Sequence, residues 1–80
     1  MNLNRKYKKS IRIRDEKLRT LSNDVWSKMT EFGYSVKLQK STGYDSLIFT
    51  GLDAVDLKFL CGDLREAYRE VIREQSNRRR

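Results

Sequence analysis

The sequence predicts a small α+β domain: an α-β-β-α core with its helices packed on one face of a short antiparallel sheet. Three observations carry this. Apolar residues recur at helical spacing over residues 15–32, alternate with polar ones over 34–50 on either side of a turn, and return to helical spacing behind a helix-start signal at residue 53. Eighty residues suit one domain. It divides into a basic N-terminal arm or strand (1–14), the core (15–75) and a basic C-terminal tail (76–80).

In the first helix, Leu18, Leu21, Val25, Met29 and Phe32 follow one another at spacings of three, four, four and three, and Trp26 widens the stripe. Asp15 and Glu16 suit its positive end, and Gly33 is placed to cap its C-terminus. The period then becomes two: Tyr34, Val36 and Leu38 alternate with Ser35, Lys37 and Gln39. Lys40-Ser41-Thr42-Gly43 supplies turn chemistry, Tyr44 to Thr50 reads as the second strand of a hairpin, and Gly51 closes it.

For the second helix Asp53 is the N-cap, with Asp56 in the capping-box position and Leu52 and Leu57 as the hydrophobic staple. Its inward face is expected to run Leu57, Leu60, Cys61, Leu64, Tyr68, Val71 and Ile72, and the helix is expected to fray from Ser76. Gly62, mid-helix, costs about 1 kcal/mol relative to Ala. A lone hairpin is barely stable. The reinforcement can come from the two helices, from an added strand between Lys9 and Arg14, or from strand pairing with a second subunit. A chain this small, 38% hydrophobic, also raises the expectation of a homodimer.

The net charge of +7 is unevenly spread. Residues 1–20 hold eight basic and two acidic side chains, residues 21–72 six and eight, and residues 73–80 four and one. Basic ends on a slightly acidic centre attract polyanions, of which nucleic acid is the commonest for a small chain. There is no histidine, which removes the usual general base, the commonest metal ligand and the Ser–His or Cys–His nucleophile pairs. No phosphate loop or dinucleotide fingerprint occurs. Asp53, Asp56 and Asp63 read as capping and solvated positions rather than magnesium ligands, and Cys61 as a buried structural thiol without an activating partner. Neither an enzyme nor a cofactor is expected. One unpaired cysteine and no long apolar run lead to the expectation of a soluble, cytoplasmic protein without a membrane partner.

Binding is better supported, and it centres on "RKYKKSIRIRDEKLR" (Arg5 to Arg19). If residues 5–14 are extended, Lys6, Lys8, Ser10, Arg12 and Arg14 form a cationic comb on one side, while Tyr7, Ile11 and Ile13 can dock on the core. The alternation and the two β-branched residues favour a strand over a helical extension or a disordered tail. Phosphate contacts are assigned to Arg5, Lys6, Lys8, Lys9, Arg12, Arg14, Lys17 and Arg19. Lys37 and Lys40 would extend the same basic face if they point that way. Tyr7 reads first as an anchor on the core and second as a base-stacking platform. On the second helix, Arg65, Arg69 and Arg73 run beside Glu66, Glu70 and Glu74 and are expected to neutralise one another.

The run "FGYSVKLQKSTGYDSLIFTG" (Phe32 to Gly51) resembles the front of the HicA-type toxin and double-stranded-RNA-binding-like folds. The turn Thr42-Gly43-Tyr44 lacks the histidine that HicA-type toxins carry in the hairpin, so ribonuclease activity is not implied. Asp53 and Asp56 stand where a double-stranded-RNA-binding domain has a basic signature. In size, in its Arg5–Arg19 cationic segment and in its compact mixed core, the chain is similar to the small basic RNA-binding proteins of T4-type bacteriophages, including TifA-like inhibitors of the ToxN ribonuclease toxin. That resemblance implies dimeric RNA binding that interferes with a host defence toxin. The expectation is therefore a non-catalytic nucleic-acid-binding protein, RNA before DNA, with little sequence specificity. The alternative is an inhibitor or adaptor that docks its basic surface on an acidic or nucleic-acid-binding site of a host protein.

Overall fold

The computed structural model describes residues 6–78. Chain order is β1 (Tyr7–Ile13), α1 (Glu16–Arg19), α2 (Ser22–Glu31), β2 (Ser35–Ser41), β3 (Tyr44–Leu52) and α3 (Ala54–Arg78). This is an α+β domain in which a three-stranded antiparallel sheet, order β1-β3-β2, is backed by the helices. Its third strand is the basic segment itself.

The helix expected over residues 15–32 is broken in two. Asp15 does cap its start, accepting from the backbone N–H groups of Lys17 at 2.9 Å and Leu18 at 3.2 Å. The hydroxyl of Thr20 then donates to the Lys17 carbonyl at 2.6 Å, competing for the acceptor that the next helical N–H would use. Leu21 N–H donates to the Leu18 carbonyl instead, three residues back rather than four. The chain restarts at Ser22, whose buried hydroxyl donates to Asp45 at 2.7 Å. Leu21, Val25 and Met29 stay buried, whereas Leu18, before the break, and Phe32, at the end, are exposed.

Gly33 ends α2 as its sequence position predicts. With φ at +102° it lets its own N–H reach the Thr30 carbonyl and the Tyr34 N–H reach that of Met29, a Schellman closure. Tyr34 then packs edge-on against Phe49, with ring centroids 5.7 Å apart, and donates its hydroxyl to Asp63 at 2.5 Å. Burial, then that bond, push the Tyr34 phenol above its usual range.

β3 is the central strand, and its odd-numbered residues Asp45, Leu47 and Phe49 face the helices and are buried. The strand continues past its predicted end to Leu52. Between the pairs Lys9↔Phe49 and Tyr7↔Leu52 it carries one extra residue, a bulge containing Gly51 at φ +66°. The extra residue reverses the alternation, which turns the even-numbered Leu52 inward to the core. Leu52 thereby sits one residue before the α3 cap. There Asp53 and Asp56 form a reciprocal box, each carboxylate accepting from the other's backbone N–H at 2.7 and 3.1 Å.

Along α3 the core takes Leu60, Ala67 and Val71, with Leu57, Leu64 and Tyr68 packed against it. Three expectations fail here. Cys61 and Ile72 are exposed, because at 100° per residue they lie about 80° and about 100° round the helix from Val71. The third, fraying from Ser76, also fails: α3 continues to Arg78, with no Pro or Gly to stop it and with Gln75 reaching Asp24 on α2 at 3.4 Å. The Cα extents are 54 × 27 × 15 Å, and the shortest accommodates one sheet and one layer of helices. Among the described residues no helix lies over the second face of the sheet.

Candidate nucleic-acid interface

Strand alternation and the register decide what stands on that second face. On β1 it carries Lys8, Ser10 and Arg12, on β3 Tyr44, Ser46, Ile48 and Thr50, and on β2 Ser35, Lys37, Gln39 and Ser41. Across the sheet these form rows. Ser10, Ile48 and Lys37 make one, and Arg12, Ser46 and Gln39 the next. Tyr44 lies opposite Ser41, and Thr50 opposite Ser35, their hydroxyls 3.3 Å apart. Among the described residues three cations stand on this face and no carboxylate does. Lys8, Arg12 and Lys37 make no ion pair among the described residues.

The cations are held on the two margins. Lys8 and Arg12 belong to β1, one edge strand, and Lys37 to β2, the other. The central stripe from β3 is uncharged. Arg12 leans inward over it, its Cζ 5.0 Å from the Tyr44 ring centroid, within cation–π range. β1 keeps its side chains in register because Ile13 is buried and Ile11 packs against the core on the opposite side. Tyr7 shares that side and is exposed at the strand's start.

The other residues assigned to phosphate contacts are placed differently. Lys6 and Arg14 are exposed just outside the two ends of β1, and Lys17 is exposed on α1. Lys9 is exposed but opposite Phe49, on the helix-facing side. Arg5 lies outside the described residues, as do Arg79 and Arg80 of the C-terminal tail. Lys40 and Arg19 are turned to a different task. Lys40 pairs with Asp45 on the core side, its Nζ 3.2 Å from the carboxylate, and Arg19 approaches the same group at 3.9 Å. Asp45 is 2% exposed. The Ser22 hydrogen bond, then Lys40 and Arg19, hold its carboxyl below the usual range against the opposing effect of burial.

Tyr44, Ile48 and the hydroxyl residues of β3 are the part of this face that sequence reasoning missed. Alternation counted outward from the buried Leu47 and Phe49 would have placed them there, and the same counting separates Lys37 from Lys40, three residues on.

In the helix layer two cations are paired, while Lys58, Arg65 and Arg73 of α3 are exposed and make no ion pair among the described residues. Lys28 is drawn to Glu74 at 2.9 Å, Glu70 at 3.8 Å and Glu31 at 3.9 Å, and Arg69 pairs with Glu66 at 3.5 Å. Among the described residues no group of three or more His, Cys, Asp or Glu side chains is placed to hold a metal ion. Asp53 and Asp56 are occupied in the α3 cap, and Asp63 accepts from Tyr34. No helix in this region is long and apolar enough to cross a membrane. At one end of the layer Phe32, Val55 and Phe59 are exposed around a shallow depression bordered by Asp56 and Asp63.

No protein-family model matches the chain, and no curated protein or solved structure matches it either.

Proposed function

We propose that this is a non-catalytic nucleic-acid-binding protein that takes RNA on the open face of its sheet, chiefly through the phosphate backbone and with little sequence specificity. The observation that carries the reading is the separation of charge. Lys8, Arg12 and Lys37 share one face with no acidic neighbour on it among the described residues, while the carboxylates of α2 and α3 lie in the helix layer. Free cations on an open surface gain affinity by releasing the counterions condensed on a nucleic acid, whatever its sequence. Lys6 and Arg14, beside the ends of β1, extend that field along the strand.

RNA is preferred to duplex DNA because the open surface is a sheet rather than a basic recognition helix, and the exposed Arg65, Arg69 and Arg73 of α3 run beside Glu66, Glu70 and Glu74. The third strand comes from the chain itself, so the sheet needs no second copy. A homodimer then rests on the small size of the core alone. Inhibition of a host defence ribonuclease, the narrower role implied by the bacteriophage resemblance, would follow from RNA binding as its first step. A single unpaired cysteine fits a reducing, cytoplasmic setting.

The test is filter binding of a labelled single-stranded RNA across a salt series. The expected outcome is a linear fall of log affinity with log salt, about 0.7 for each phosphate neutralised. Salt-independent binding, or none at low salt, would sink the reading. A second reading, an inhibitor or adaptor docking on a host enzyme, draws on the exposed Phe32, Val55 and Phe59 cluster. It predicts that the purified protein carries no nucleic-acid absorbance at 260 nm before a high-salt wash, and that no oligonucleotide binds.

A further inference from the structure

We infer that the sheet face is built for single-stranded RNA with an unpaired base stacked on the Arg12–Tyr44 pair, not for backbone recognition alone. The inference rests on the RNA-binding reading and specifies the ligand of that same face.

The arrangement of the face argues for it. A surface that bound phosphates only would gain most from cations along its middle. Here they stand on the two edge strands, and the middle strand offers Tyr44, Ile48 and hydroxyls. The two edge strands lie about 10 Å apart at ordinary inter-strand spacing. A single strand laid along this stripe can set its phosphates against a margin and its bases on the centre. A duplex presents its bases to each other and leaves the centre of the face unused.

The stacking surface is already assembled. Arg12 lies over the Tyr44 ring at 5.0 Å, so its guanidinium is oriented before any ligand arrives. Bases stack on guanidinium planes as well as on aromatic rings. Ile48 is half-buried four residues along β3 and supplies apolar contact for a neighbouring base or ribose. Ser35 and Thr50 place exposed hydroxyls on the same face, suited to a ribose 2′-hydroxyl, whereas Ser46 is buried beneath it.

The test compares three probes of equal length, about twelve nucleotides: a single-stranded RNA, the same ribose-phosphate backbone without bases, and the fully paired RNA duplex. Wild-type protein should bind the single strand about tenfold more tightly than the abasic backbone, and more tightly than the duplex. Tyr44→Leu should remove that advantage, Tyr44→Phe should keep most of it, and Arg12→Lys should reduce it. NMR of the wild type should show the Tyr44 ring protons moving upfield with the single strand only.

Equal, salt-dependent binding of based and abasic strands would overturn the stacking inference and leave the phosphate reading standing. So would a preference for the duplex. Absence of binding to all three probes would overturn both. Should Tyr44→Leu fail to fold, the wild-type probe comparison and the Arg12→Lys variant still decide.

Discussion

The two layers of this protein use the same residue types to opposite ends. In the helix layer Lys28, only 14% exposed, is surrounded by Glu31, Glu70 and Glu74. The Glu74 hydrogen bond, followed by the charges of all three, raises its pKa despite partial desolvation. On the sheet face Lys8, Arg12 and Lys37 have no such company. The lesson is that a count of basic residues does not locate a polyanion site. What matters is where the fold groups cations away from carboxylates, and here alternation places Lys8, Arg12 and Lys37 together on the face that the helices do not cover.

The comparison can be broken first at its support. Ile13, 5% exposed, is the inward anchor of β1, and Ile13→Ala should destabilise the fold by about 2–4 kcal/mol. Urea unfolding measures this. A change below about 0.5 kcal/mol would mean that the basic strand is not docked as described. Next in size is the loss of the face itself. Replacing Lys8, Arg12 and Lys37 together by Ala should weaken RNA binding about a hundredfold near 0.1 M salt and reduce the salt slope by about 2. Replacing Arg65 and Arg73 on α3 serves as the control, with a much smaller effect expected. Equal losses from the two sets would erase the distinction between the layers.

Asp45 sharpens the comparison from the core side, since it is the one carboxylate on the sheet among the described residues. Asp45→Ala leaves the buried Ser22 hydroxyl without its partner and should cost about 2 kcal/mol, read by thermal unfolding. Its carboxyl is held below the ordinary value in the folded state. The stabilisation is therefore complete above about pH 4 and is lost as pH falls further, through the lower folded pKa. Asp45→Asn should flatten that part of the stability–pH curve. An unchanged curve would show that Asp45 is not the group responsible. The smallest effect is expected at Lys28→Met. It should lower the melting temperature less than Asp45→Ala does, by an amount that shrinks in high salt, and leave RNA binding unaltered.

Much of this plan was legible in local pattern. Asp15, Gly33 and the Asp53–Asp56 box mark element ends through contacts within a few residues, and the strand periods of Ile11–Ile13 and Tyr34–Leu38 are local as well. The break at Thr20 was not legible. A hydroxyl bond to Lys17 interrupts the helix without disturbing the spacing of its apolar residues. Nor was the exposure of Cys61 and Ile72, because periodicity marks the direction of a stripe but not how wide a neighbour will cover it. Lys40 and Arg19 could be recognised as basic but not as already engaged.

The sequence by itself determined that residues 5–14 could be a two-sided strand and that the core would be mixed α and β, since both follow from side-chain period and capping over short spans. The tertiary structure decided where that strand pairs, against β3 rather than a second subunit, and so which face remained open. It also decided which cations stayed free. Ion pairing and burial are set by neighbours far along the chain: Arg19 meets Asp45, and Lys28 meets Glu70 and Glu74, only after the hairpin and helices have come together. No local pattern encodes those distances.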